Sequence, residues 1–106
     1  MSEALIEIQT HEFNEKTAQG VVFLDFYADW CGPCRMMAPV IEKLAVEFKG
    51  QIQFYKFDVD SDREIPTRFK IFSIPTFVIL KDGQEVERVV GIKDEEGMKA
   101  CLTPHL

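Results

Sequence analysis

Apolar residues along this chain fall into short stretches divided by polar breaks, and their spacing changes from stretch to stretch. Val21 to Ala28 reads VVFLDFYA, a nearly continuous apolar run rich in β-branched and aromatic residues. That pattern predicts a central strand covered on both faces. Ile52 to Val59 predicts a second buried strand, and Leu5, Ile6 and Ile8 a short first one. Between the first two strands the spacing predicts a modest helix over residues 11–18, N-capped by Thr10, burying Phe13 and ending near Gly20. From Cys34 to Lys49 the period is helical, with Met37, Ile41, Leu44, Ala45 and Phe48 on one face and Gly50 as the stop. Pro39 inside that run predicts a kink.

Ser61 followed three residues later by Glu64 has the pattern of a capping box for a short helix confined by Pro66. Thr76 to Lys81 and Glu85 to Val90 are strand-like and flank Asp82-Gly83, a strong signal for an antiparallel hairpin. Asp94, Glu95 and Glu96 place negative charge at the start of a last helix, whose Met98, Cys101 and Leu102 can face the core. The order βαβαβαββα predicts an α/β fold, a mixed sheet with helices on both faces.

With 106 residues, 46% of them hydrophobic, the chain has the size and composition of one domain spanning 1–106. Twelve basic against 18 acidic residues give a net charge of -6, which opposes binding to nucleic acid or to an anionic membrane. The start, MSEALIEIQTHEF, lacks a basic, then apolar, leader pattern, and no run approaches the ~20 apolar residues that span a bilayer. An intracellular, soluble protein is the expectation. Of three cysteines, Cys31 and Cys34 are close together, and in a reducing compartment such a pair suggests redox chemistry or metal binding.

Trp30-Cys31-Gly32-Pro33-Cys34 stands where the strand gives way to the long helix. Pro33 suits an early helical position, having no N–H to lose there. Cys31 then lies at the positive end of the helix, where unpaired N–H groups and the macrodipole favour a thiolate over a thiol. Cysteines three apart on a first turn are within disulfide reach, about 5–6 Å. Cys31 is therefore expected to be the exposed nucleophile and Cys34 the shielded resolving thiol of a two-step exchange. The competing readings are a zinc pair or two inert thiols. A structural zinc usually takes four ligands, and only the distant Cys101, His11 and His105 remain to supply them, so no metal is expected. Asp25, in the middle of VVFLDFYA, must be compensated if buried. Lys56, in the middle of the other apolar strand, is its candidate partner beneath the CGPC turn. Burial would raise the carboxyl's affinity for a proton and let Asp25 relay the Cys34 proton, although a purely structural ion pair has the same sequence pattern.

Along essentially the whole chain the sequence resembles the thioredoxin family, in WCGPC, the acid of FLDFYADW, Lys56 before FDVD, Ile74-Pro75-Thr76, Lys81-Asp82-Gly83 and Gly91. The resemblance implies the thioredoxin fold, a five-stranded mixed sheet flanked by four helices. It further implies a monomeric cytoplasmic protein-disulfide reductase with no bound cofactor, recharged by thioredoxin reductase. NADPH would bind that partner, since this chain has no GxGxxG fingerprint. Clients of the kinds implied are peroxiredoxin, ribonucleotide reductase and methionine sulfoxide reductase. The resemblance also makes Ile74-Pro75 a cis bond facing the active pair, with Trp30, Gly32, Pro33, Val59, Val90 and Gly91 forming the surrounding client surface.

Arg35 and Tyr27 depart from the commonest family residues without touching the mechanism. The end, CLTPHL, is less typical: Pro104 should stop the last helix early and leave His105 in a frayed tail. Cys101 is expected to be a core contact, with a regulatory thiol as the alternative. Two other functions share these residues: a disulfide oxidase or isomerase, and a non-catalytic subunit binding one partner.

Overall fold

The computed structural model describes residues 3–106. Its elements run β1 (Leu5–Glu7), α1 (Thr10–Lys16), β2 (Val21–Tyr27), α2 (Gly32–Glu47), β3 (Gln53–Asp58), α3 (Glu64–Arg68), β4 (Thr76–Lys81), β5 (Gln84–Val90) and α4 (Glu95–Leu102), with a closing 3-10 turn at Thr103–His105. The five strands form one sheet in the order β1-β3-β2-β4-β5. β1 and β2 both pair parallel with β3, β4 is antiparallel to β2, and β5 is antiparallel to β4.

Central position explains the composition of β2. Its five interior residues, Val22 to Phe26, are all buried, because helices cover both faces of the sheet. Alternation along the strand then divides the core. Phe23 points toward α2 and α4, joining Phe54, Phe77, Ile41, Leu44 and Met98. Leu24 and Phe26 point the other way, toward Phe13 of α1 and Ile65 of α3. Asp25 follows Phe23 by two and therefore lies on the α2 face. The β4–β5 hairpin turns at Asp82 and Gly83, with φ of 49° and 83°, as a primed two-residue turn requires. Asp82 Oδ1 also accepts from the Gly20 N–H at 2.8 Å, tying the turn to the start of β2.

Four local expectations need correction. Gln9, not Thr10, is the N-cap of α1, and Glu12 returns its carboxylate to the Gln9 N–H at 2.9 Å. Ser61 and Glu64 do not form a capping box. The Ser61 hydroxyl donates to the Asp58 carbonyl at 2.7 Å, and Asp62 Oδ1 accepts from the Glu64 N–H at 2.9 Å in its place, a shorter local turn winning over the cap. α2 begins at Gly32 rather than Cys34, with Cys31 as its N-cap, and runs through Pro39 to Glu47. The C-terminal tail is not frayed: Pro104 fits the early part of a 3-10 turn, and His105 Nε2 meets Glu87 Oε1 of β5 at 3.0 Å. Among the described residues no helix is long and apolar enough to cross a membrane.

Candidate redox site at the head of α2

Parallel β2 and β3 both end beneath the start of α2, which is what gathers the chemically active residues at one edge of the sheet. Cys31 and Cys34 form a disulfide with 5.2 Å between their Cα atoms. Cys31, as N-cap, accepts on its Sγ the Cys34 N–H at 3.1 Å, so a helix-terminal N–H points at this sulfur. No acidic side chain occupies the first turn of α2 to cancel the positive helix end. Gly32 and Pro33 are the first two helical residues, so that Pro33 holds an early helical position. Arg35 fastens the turn from behind, its Nη1 donating to the Asp29 carbonyl at 2.6 Å.

Exposure does not separate the two cysteines as the sequence suggested. Cys31 is 4% and Cys34 7% exposed, because Ala28, Tyr27, Val59 and Ile74 pack around the disulfide. Position separates them instead. Cys31 Sγ lies beside the cis-proline loop, 3.8 Å from the carbonyl oxygen of Ile74. Cys34 lines a cleft of about 180 Å³, open to the surface at Asp29, together with Asp25, Tyr27, Ala38 and Lys56.

Asp25 and Lys56 are direct neighbours in the β2–β3 register, as the sequence reading required. Their charges do not join in an ion pair within 4.0 Å, however. The ammonium lies 5.4 Å from the centre of the Tyr27 ring. Asp25 is 8% exposed, and its pKa is raised to about 7: burial pushes it up and Lys56 pulls it partly back. A carboxyl poised there can both take and return a proton near neutrality.

Around the disulfide lies a rim of surface. Ile74-Pro75 is a cis bond, as expected. The Gly91 N–H donates to the Pro75 carbonyl at 2.8 Å, and Val90 pairs with Thr76, so the end of β5 abuts this loop. Trp30, Val59 and Ile74 line a groove of about 320 Å³ with Ile71, Phe72 and Ser73. Trp30 is 68% exposed and is oriented by Asp60, whose Oδ2 accepts its indole N–H at 2.7 Å. Sequence reasoning missed Asp60 and Phe72. Asp60 is 30 positions from Trp30, and only the FDVD run marked it; Phe72, at 92% exposure, was detectable as an aromatic set among turn residues. Cys101 is half-buried against the main core, with Lys93 Nζ 3.8 Å from its sulfur. Among the described residues no group of three or more His, Cys, Asp or Glu is placed to hold a metal.

Comparison with known proteins agrees with this geometry. The Thioredoxin family model matches residues 4–104. Thioredoxins from Staphylococcus aureus, strains Mu50 and MW2 among them, are 40% identical over 103 residues, covering 97% of this chain and 99% of theirs. The crystal structure of the Malassezia sympodialis thioredoxin Mala s 13 superposes with a TM-score of 0.84 at 38% identity, covering 95% of this chain and 90% of that one. Proteins of this kind are thiol–disulfide oxidoreductases that need no cofactor. The fold, the paired cysteines at the head of α2 and these likenesses agree: the chain belongs to the thioredoxin family.

Proposed function

We propose that this chain donates electrons to the disulfides of client proteins in the cytoplasm, acting as a monomeric single domain. The observation that carries the reading is the placement of the pair: Cys31 at the N-terminal end of α2 with an N–H on its sulfur, and Cys34 sharing a cleft with the buried Asp25. In the reduced protein the Cys31 thiolate attacks one sulfur of a client disulfide. That bond breaks, a mixed disulfide forms, and the second client sulfur leaves as a thiolate that takes up a proton. Cys34 then gives its proton to Asp25 and attacks Cys31 Sγ, releasing the first client sulfur. The client gains two electrons and the Cys31–Cys34 disulfide holds the oxidised state.

Lys56 tunes Asp25 electrostatically in this scheme. Trp30, Gly32, Pro33, Val59, Ile74, Pro75, Val90 and Gly91 form the client surface, where main-chain pairing beside Pro75 gives affinity with little side-chain selectivity. Thioredoxin reductase, drawing on NADPH, returns the pair to dithiols. Peroxiredoxin, ribonucleotide reductase and methionine sulfoxide reductase are the client classes.

Replacing Cys34 with Ser should trap mixed disulfides with client proteins, and replacing Cys31 with Ser should abolish capture. Equal trapping by the two variants would contradict the order of attack. A strongly oxidising reduction potential would instead assign the chain to oxidase or isomerase chemistry.

A further inference from the structure

α3 ends at Arg68, and the N–H groups of Lys70 and Ile71 turn back onto the carbonyls of Thr67 and Pro66 at 3.1 and 2.9 Å, so that the backbone closes the helix end. The chain then turns through Phe69 and Lys70, the latter at φ 55°, a left-handed conformation that non-glycine residues rarely adopt. It continues through Ile71, Phe72 and Ser73 to Ile74, whose carbonyl lies beside Cys31 Sγ. This segment therefore links α3 directly to the redox site and carries the most exposed aromatic side chain of the molecule's described residues.

One side chain from another element holds its first two carbonyls. Arg88 of β5 donates from Nη2 to the Phe69 carbonyl at 2.7 Å and from Nη1 to the Lys70 carbonyl at 3.4 Å. Its guanidinium is in turn fixed by Glu85, with Nε to Oε2 at 2.8 Å and Nη2 to Oε1 at 2.9 Å. A partly exposed ion pair of this kind adds little stability by itself. What the two-pronged Glu85 contact does is orient the guanidinium plane, so that its remaining donors hold the carbonyls of Phe69 and Lys70 in the turn just past α3. No backbone pairing of the sheet requires this contact, and its reach ends on the loop that borders the disulfide.

We propose that Arg88 is a positioning residue for client docking: held by Glu85, it fixes residues 69–74 in the shape that presents Phe72 and Ile74 beside the Cys31–Cys34 pair. The inference rests on the client-reduction reading above. Its site is not the sulfur chemistry, so a small disulfide that needs no docking surface should not sense Arg88.

The test uses protein prereduced with dithiothreitol and mixed in a stopped-flow device with increasing insulin, or with 5,5′-dithiobis(2-nitrobenzoic acid) as the small disulfide. Arg88→Met keeps the side chain's length and removes its donors. It should raise the insulin concentration at half-maximal rate about two- to tenfold, the range set by losing one or two net hydrogen bonds. The limiting rate and the reaction with the small disulfide should be unchanged. Arg88→Lys, with a single donor head, should lie between Met and wild type, and Glu85→Gln should shift half-saturation in the same direction. Unchanged half-saturation in Arg88→Met, or equal slowing with both disulfides, overturns the proposal. Should Arg88→Met fail to fold, the other two variants decide it by the same measure. Wild-type protein that reacts with the small disulfide but leaves insulin intact would instead overturn the client-reduction reading itself.

Discussion

Asp25 occupies the middle of β2, whose interior residues are all buried, and the pKa of its carboxyl is raised to about 7 from 3.8, chiefly by burial. The folded protein therefore keeps this proton through a range in which the unfolded chain has lost it. Its contribution to stability is complete below about pH 3.8 and is lost progressively as the pH climbs to about 7, the loss levelling off at on the order of 4 kcal/mol above that point. In the oxidised protein, where neither active-site sulfur titrates, Asp25→Asn should remove this dependence. Urea unfolding across pH 4 to 8 checks it: the variant should match wild type at the acid end and exceed it increasingly toward the alkaline end. The same substitution should slow release of the mixed disulfide, because the resolving thiol loses its proton acceptor. Asp25 was legible as an anomaly of VVFLDFYA, and so was its register partner. The position of the Lys56 ammonium against Tyr27 was not, since a long flexible side chain chooses among neighbours that only the fold supplies.

At the level of elements, sequence signals worked where one local interaction dominates and failed where two compete. Asp82-Gly83 produced the predicted turn because few other residues accept two positive φ values in succession. Ser61 and Glu64 failed because Asp58 and Asp62 offered nearer partners. α4 supplies a test of such a local balance. Its N-cap Asp94 accepts the Gly97 N–H at 2.8 Å, and a Cβ added at Gly97 would lie 2.8 Å from that same carboxylate oxygen and 3.0 Å from Lys93 Cγ. Glycine to alanine in a helix ordinarily gains ~1 kcal/mol, and losing a cap costs about as much. Gly97→Ala should therefore give no rise in melting temperature, whereas a clear rise would show that the cap survives the added methyl.

Across the whole molecule, the sheet separates two cores, and the three rings Phe23, Phe54 and Phe77 join the central strands on the α2 face. Phe23 stacks on Phe54 at 4.7 Å between ring centroids and lies 5.6 Å from Phe77. Phe23→Ala should destabilise the protein by about 3–5 kcal/mol, lowering the urea midpoint without changing the slope of the transition. α2 and α4 are also joined through Lys43–Glu95 at 3.1 Å and Lys99–Glu47 at 3.0 Å.

By itself the sequence determined the order of elements, the strand buried on both faces and the pairing of two cysteines on one helical turn. These follow from periodicity and spacing, which act between residues near in the chain. Tertiary structure alone decided that Asp60 would orient Trp30, that Arg88 would hold the turn after α3 and that His105 would reach Glu87. Each of these contacts joins elements distant in sequence or leaves the regular ladder, and a hydrogen bond made that way leaves no periodic trace. The depth of Cys31 belongs with them, because burial depends on which side chains the fold brings over the sulfur and not on the residue's place along its own helix.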